Sequence, residues 1–168
     1  MFDQIIDYIG FYGPEILLVS SIILLRNKRS FITIYTIGFA VNALVNYVLK
    51  GVFMQPRPTD EVHLFQLEKL YRKTVGFDHY GMPSGHLQTT LYSTVFIMLA
   101  LKDEKITGLY LIVSLVSMYQ RIKFKHHTLL QTLVGALVGS IIGYLVYQYA
   151  IGHLQGKVKR RADENASG

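Results

Sequence analysis

Apolar residues fall into five long blocks along this chain, at residues 5–25, 31–49, 87–101, 106–119 and 129–151, separated by polar stretches. A hydrocarbon core about 30 Å thick calls for a helix of roughly 20 mostly apolar residues. Each block therefore predicts a membrane-spanning helix. The third and fourth blocks are short for that thickness and are expected to extend by a turn into the polar residues at their ends. The expected fold is an all-α integral membrane protein, a bundle of about five transmembrane helices.

Two interruptions modify this pattern. Gly13-Pro14-Glu15 falls in the middle of the first block. Either Glu15 faces the bundle interior and pairs with a polar group, or Pro14-Glu15 starts a short first span whose preceding residues lie on the surface. The long loop at 59–76 has a helix start at Thr59-Asp60-Glu61 and a stop at Gly76. Leu64, Leu67, Leu70 and Tyr71 recur there at helical spacing, with Lys69, Arg72 and Lys73 crowding the far end. That predicts an amphipathic loop helix, lying on the membrane surface or packed on the spans. Residues 1–156 read as one transmembrane domain. Residues 157–168 read as a basic, polar, disordered tail.

Composition supports the membrane reading. The chain has 168 residues and is 51% hydrophobic, more apolar surface than a soluble domain of this size can hide. It has no cysteine, which excludes disulfides, thiolate nucleophiles and cysteine metal sites. The net charge is +6, carried in loops, where topology and anionic head groups account for it. Aromatic and basic residues do not interleave as in single-strand binders, so no nucleic-acid partner is expected. The first residues, Met1-Phe2-Asp3-Gln4, have neither a basic stretch nor a small-residue cleavage site, so no removable signal peptide is expected.

Basic residues set the expected orientation. Nine lie on one side: Arg26, Lys28, Arg29, Lys102, Lys105, Lys157, Lys159, Arg160 and Arg161. Eight lie on the other, of which Lys50, Arg57 and Arg121 belong to polar clusters with a different reason to be there. Nine against the remaining five puts the C-terminus in the cytoplasm and the clusters on the lumenal or extracytoplasmic side.

Three clusters carry candidate chemistry. Lys50 and Arg57-Pro58 close the second block. Pro56 and Pro58 force the chain to turn, which brings an ammonium and a planar guanidinium fork towards one spot. Pro83-Ser84-Gly85-His86 leads into the third block, where a helix N-terminus favours an anion. Ser84 adds a donor, Gly85 close backbone approach, and His86 a proton. Arg121 and His127 bracket the loop into the fifth block. If the helix has begun, Gln131 shares a face with His127. Its oxygen is expected to fix the imidazole tautomer and leave the other nitrogen to attack. His126 is then a spectator.

Singly, each cluster has an ordinary reading as an interface anchor or a turn. Jointly, on one membrane side, they make an oxyanion site with a nitrogen nucleophile. Polar stripes lead to it: Asn42, Asn46 and Lys50 on one block, Ser114, Ser117 and Arg121 on another. Gly135, Gly139 and Gly143 permit close helix approach, which suggests that the fifth block is central.

Lys50-x6-Arg57-Pro58, Pro83-Ser84-Gly85-His86 and Arg121-x5-His127 resemble the three signature motifs of the type 2 phosphatidic acid phosphatase superfamily, in order and in loop placement. The resemblance covers Lys50 to Gln131 by motif and the rest by hydropathy. It implies a metal-independent phosphatase, without cofactor, working through a phosphohistidine. His127 would be the nucleophile and His86 the acid, later the base for water. Lys50, Arg57, Ser84, Gly85 and Arg121 would hold the phosphoryl oxygens. The family has six spans, and the first is the one without a counterpart here.

Two residues depart from the family pattern. Gln120 stands where Ser is usual, and Gln131 where Asp is usual. His127-Thr128-x-x-Gln131, with Met82 and Gln88 flanking the second motif, resembles the dolichyl-diphosphatase branch, which carries Gln there. That implies a polyprenyl diphosphate substrate. A phosphatidate or phosphatidylglycerophosphate phosphatase, and a catalytically idle binder of anionic lipid, remain as alternatives.

Overall fold

The computed structural model describes residues 2–58 and 76–166. The loop helix expected at 59–76 lies outside them, apart from Gly76. Among the described residues six helices form in chain order: α1 (Phe2–Phe11), α2 (Gly13–Leu24), α3 (Arg29–Phe53), α4 (Gly85–Leu101), α5 (Glu104–Lys123) and α6 (Leu129–Ala166), with a short 3₁₀ turn at Gly76–His79.

Helix ends follow local chemistry. Pro14 sits in the first turn of α2, where its missing N–H is harmless. α1 and α2 therefore meet at a 65° bend instead of forming one straight span. α3 ends in left-handed Met54, whose N–H returns to the Lys50 carbonyl. Asp103 caps α5 by accepting from Lys105 and Ile106 N–H. Thr128 and Gln131 cap α6 reciprocally. Gln131 N–H donates to Thr128 Oγ1 (3.2 Å), and Thr128 N–H donates to Gln131 Oε1 (3.1 Å). This is a capping box.

Helices occupy all five predicted blocks, but they do not all qualify as spans. Among the described residues only α3 and the Leu129–Gly156 part of α6 are individually long and apolar enough to cross a membrane. α1 and α2 qualify as a third only if the bent pair is one broken span. α4, at 17 residues, is about 26 Å long at 1.5 Å per residue. α5 has the length, but Ser114, Ser117, Gln120 and Arg121 dilute its apolar character. Exposed Ile37, Val41, Leu44 and Val48 on α3, and Leu133, Leu137, Ile141 and Leu145 on α6, form the apolar stripes that a lipid-facing surface needs.

The expected centre of the bundle is corrected. α4, not the fifth block, touches α2, α3, α5 and α6. The α6 glycines instead clamp it: a Cβ on Gly135 would lie 2.5 Å from the Ser84 carbonyl, and one on Gly143 2.6 Å from that of Tyr92, with Gly139 against Gln88 between them. Both numberings rise together, so α4 and α6 run parallel at backbone contact. The expected disordered tail is also corrected. α6 continues as helix to Ala166, because 157–166 contains neither Gly nor Pro and is rich in good helix formers.

Burial changes character along the helices. One half of the bundle packs Phe31, Tyr35, Tyr92, Phe96 and Ile97. Tyr92 donates to the Tyr35 carbonyl at 2.7 Å, which satisfies its hydroxyl. The other half buries Asn42, Asn46, Lys50, Ser84, Gln88, Gln120, Arg121 and His127. Buried polar groups of this number need partners, and the candidate site supplies many of them, though not, among the described residues, one for Ser84 Oγ.

Candidate active site

The parallel packing of α4 and α6 sets two helix N-termini side by side. Ser84 N–H donates to the Gln131 carbonyl at 3.0 Å, tying the start of one to the first turn of the other. Both dipoles favour negative charge at the same end. Ser84 Oγ is buried there and has no hydrogen-bond partner among the described residues. Gly85 lies beside the Asn46 amide, whose oxygen would be 3.2 Å from an added Cβ.

The end of α3 brings the predicted polar stripe. Asn46 Nδ2 donates to the Pro83 carbonyl (3.2 Å) and to Gln88 Oε1 (2.8 Å). Gln88 Nε2 donates back to Asn42 O and Oδ1. This network fixes the α3–α4 register just below Pro83-Ser84-Gly85-His86. One turn on, Lys50 is 3% exposed and its Nζ pairs with Asp78 Oδ1 at 2.6 Å. Asp78 is half exposed, a carboxylate at the mouth of an otherwise cationic cluster.

Arg57 lies beyond the α3 cap. Its guanidinium donates to the carbonyls of Asp78 (3.0 Å), His79 (3.3 Å) and His126 (3.4 Å). It thereby joins the 76–79 turn to the α5–α6 loop. Arg121 lies in the last turn of α5, buried, with one guanidinium N–H on Gln120 Oε1. The loop folds back over it: His126 and His127 N–H both point to the Arg121 carbonyl.

His127 lies at the centre. It is 3% exposed, and its Nδ1 donates to the Gly81 carbonyl at 2.8 Å. A carbonyl only accepts, so Nδ1 carries the proton and Nε2 keeps the lone pair. Burial holds the imidazole pKa well below its usual value, and the charges of Arg121, Arg57, Lys50 and His86 push the same way. Arg121, Arg57, Lys50 and His86 thus all act on one imidazole. The imidazole is neutral at neutral pH, which a nitrogen nucleophile requires.

Two expectations change. Gln131 does not orient His127. The helix starts at Leu129, two residues after the imidazole, so the two residues do not share a helical face. Gln131 Oε1 takes Thr128 N–H, and its Nε2 donates to Gln55 Oε1 and the Pro56 carbonyl. It is the strut that holds the α6 cap to the loop after α3. His126 also precedes the helix, and it is buried, with its carbonyl against Arg57.

Sequence reasoning missed Gly81, Asp78 and Phe11. Gly81 acts through its backbone, which no side-chain pattern reveals. Its narrow setting is against the Gln131 amide, 2.6 Å from an added Cβ. Asp78 lies 28 residues from Lys50. Phe11 O meets His86 Nε2 at 3.1 Å across 75 residues. The capping box Thr128-x-x-Gln131 was readable as a helix-start signal. Among the described residues no group of three histidines and carboxylates converges in a metal-ligating arrangement.

Comparisons with known proteins agree with this architecture. A family model described as the PAP2 superfamily matches residues 31–153. Dolichyldiphosphatase 1 of Plecturocebus moloch is 30% identical over 141 residues, covering 73% of this chain and 55% of that protein. The same figures hold for Dolichyldiphosphatase 1 of Homo sapiens. The chain thus spans about half the length of these curated relatives. Among solved structures, the PAP2 type phosphatidylglycerolphosphate phosphatase from Bacillus subtilis superposes with a TM-score of 0.64 at 18% identity, over 88% of this chain and 76% of that one. That likeness is one of fold.

Proposed function

This chain belongs to the PAP2 superfamily, and from that premise we propose that it is a membrane-embedded phosphatase that converts a polyprenyl (dolichyl-type) diphosphate to the monophosphate. The observation that carries the reading is the His127 imidazole, held neutral first by burial and then by the surrounding positive charges, and pinned through Nδ1 to the Gly81 carbonyl. The substrate class rests on the named activity of the relatives at 30% identity.

In the proposed reaction Lys50, Arg57, Arg121 and the N-termini of α4 and α6 hold the terminal phosphoryl oxygens. Fixed donors of this kind stabilise charge as it builds in the transition state. Arg57 would exchange carbonyl partners for phosphate oxygens, and Asp78 would release Lys50. His127 Nε2 attacks the terminal phosphorus. The bond to the bridging oxygen breaks, its electron pair stays on that oxygen, and His86, as imidazolium, supplies a proton to it. Water then attacks the phosphohistidine, His86 accepts a water proton, and the N–P electron pair returns to Nε2. Inorganic phosphate and lipid monophosphate leave. The lipid tail stays in the bilayer, and the site faces the lumen or the extracytoplasmic space, as the basic loops suggest.

The test is phosphate release from polyprenyl diphosphate by the purified chain in detergent, without divalent metal. Phosphatidate and phosphatidylglycerophosphate at matched micellar concentration are the competing arms. Preference for either monoester overturns the substrate. A requirement for magnesium overturns the mechanism.

A further inference from the structure

Residues 2–24 carry none of the three motifs and precede the segment matched by the family model. Yet α1 reaches the site end of the bundle along α5. Lys123 Nζ donates to Asp7 Oδ1 and Oδ2 at 2.8 and 2.9 Å. An added Cβ on Gly10 would run into the Gln120 side chain, and one on Gly13 into Ser117 Oγ. Numbers rise by three along α1 and into the first residue of α2 (7, 10, 13) and fall by three along α5 (123, 120, 117). That is the ladder of two antiparallel helices in close contact, and the two glycines set how close. The α5 rungs adjoin Arg121.

At the Gly13-Pro14 bend α1 stops, because Pro14 cannot donate to the carbonyl four residues back. There the Phe11 carbonyl lies 3.1 Å from His86 Nε2, with the Phe11 ring 6.2 Å from the imidazole. Since the carbonyl only accepts, the proton of the neutral imidazole sits on Nε2.

We propose that α1 is a positioning element for proton transfer: docked on α5 through Asp7, Gly10 and Gly13, it holds the Phe11 carbonyl against His86 Nε2 and makes Nδ1 the atom that exchanges protons with the reaction. This rests on the reading of His86 as acid and base. In the first half-reaction the His86 imidazolium, protonated on both nitrogens, gives its Nδ1 proton to the departing oxygen and keeps the Nε2 proton on the Phe11 carbonyl. In the second, a proton from the attacking water returns to Nδ1. The two histidines are then oppositely wired, His127 reacting through Nε2 and His86 through Nδ1, each by a backbone carbonyl on its other nitrogen.

The experiment uses the full chain in detergent, labelled with ¹⁵N-histidine, beside steady-state phosphate release from a polyprenyl diphosphate. His86→Gln identifies the His86 signals. Wild type is expected to show His86 protonated on Nε2. Gly10→Leu, which drives α1 away from Gln120, should mix the tautomers of His86 but not of His127. It should lower kcat about 10- to 100-fold with KM nearly unchanged, the cost of misplacing a reacting group. Asp7→Ala should do the same to a lesser degree, and it replaces Gly10→Leu should that variant not fold. A neutral wild-type His86 whose single proton sits on Nδ1, or docking variants with unchanged tautomer and kcat, overturns the proposal. Full turnover by His86→Gln instead sinks the acid–base reading, and the tautomer measurement shows which of the two has failed.

Discussion

His127 Nδ1 donates to the carbonyl of Gly81, 46 residues away in sequence, across 2.8 Å. A backbone acceptor cannot titrate, and it carries no full charge to stabilise an imidazolium. A carboxylate in its place would do both. Burial and the surrounding cations also disfavour the charged ring. Every influence identified on His127 therefore favours the neutral form, with its lone pair on Nε2.

The first consequence concerns pH. An unperturbed histidine titrates near pH 6.5, whereas the acid limb of kcat/KM due to His127 is expected well below that. Arg121→Gln removes the nearest-acting charge and should move the limb upward. Stability follows the same sign. Between the folded pKa and about 6.5 the unfolded chain protonates this ring and the folded one does not, so stability rises with pH across that window. Rate profiles and thermal unfolding of both proteins measure this; an unshifted limb in Arg121→Gln refutes the electrostatic account.

In the proposed reaction Asp78 competes with substrate for Lys50. Its carboxylate holds the ammonium at 2.6 Å, where the proposed reaction places a phosphoryl oxygen. Asp78→Asn should lower KM by about two- to fivefold with little change in kcat, as loss of a partly exposed ion pair of up to about 1 kcal/mol would give. Initial rates against substrate concentration decide it. A raised KM would make Asp78 part of the binding surface instead.

Gln131 is a strut. Gln131→Ala removes the capping box and the bonds to Gln55 and Pro56. It should cost about 1–2 kcal/mol of stability, read as a lower unfolding midpoint in detergent. Gln131→Glu, which can still accept from Thr128 N–H, should recover the cap. A Gln131→Ala variant of full stability that has lost its activity would restore the orienting role expected from sequence.

Side-chain chemistry made the three clusters legible before any coordinates. Lys50, Arg57, Arg121, His86 and His127 are costly groups at span ends, and the first four all act electrostatically on the His127 ring. The glycine stripe at 135, 139 and 143 was legible as a close-packing face. Its partner was not, because helix adjacency is a property of the whole bundle, and α4 took the centre. The break at Pro14 followed from proline geometry. Gln131 was misread through a two-residue error in where α6 begins. Gly81 and Phe11 act through carbonyls, which every residue possesses, so only the fold could single them out. The span count depended on a rule of length and apolar character: α4 is too short for it, and α5 has the length but gives up apolar character to polar residues such as Ser114, Ser117, Gln120 and Arg121.

The central claim is that His127 Nε2 carries the phosphoryl group. The direct measurement mixes purified protein with a polyprenyl diphosphate labelled in its terminal phosphorus, quenches in alkali and locates the label by peptide mass spectrometry. The account predicts an acid-labile, alkali-stable label on His127, absent from His127→Ala, with phosphate release by that variant down by about 10⁴-fold or more. Label on another residue, or a His127→Ala variant that still turns over, would contradict it.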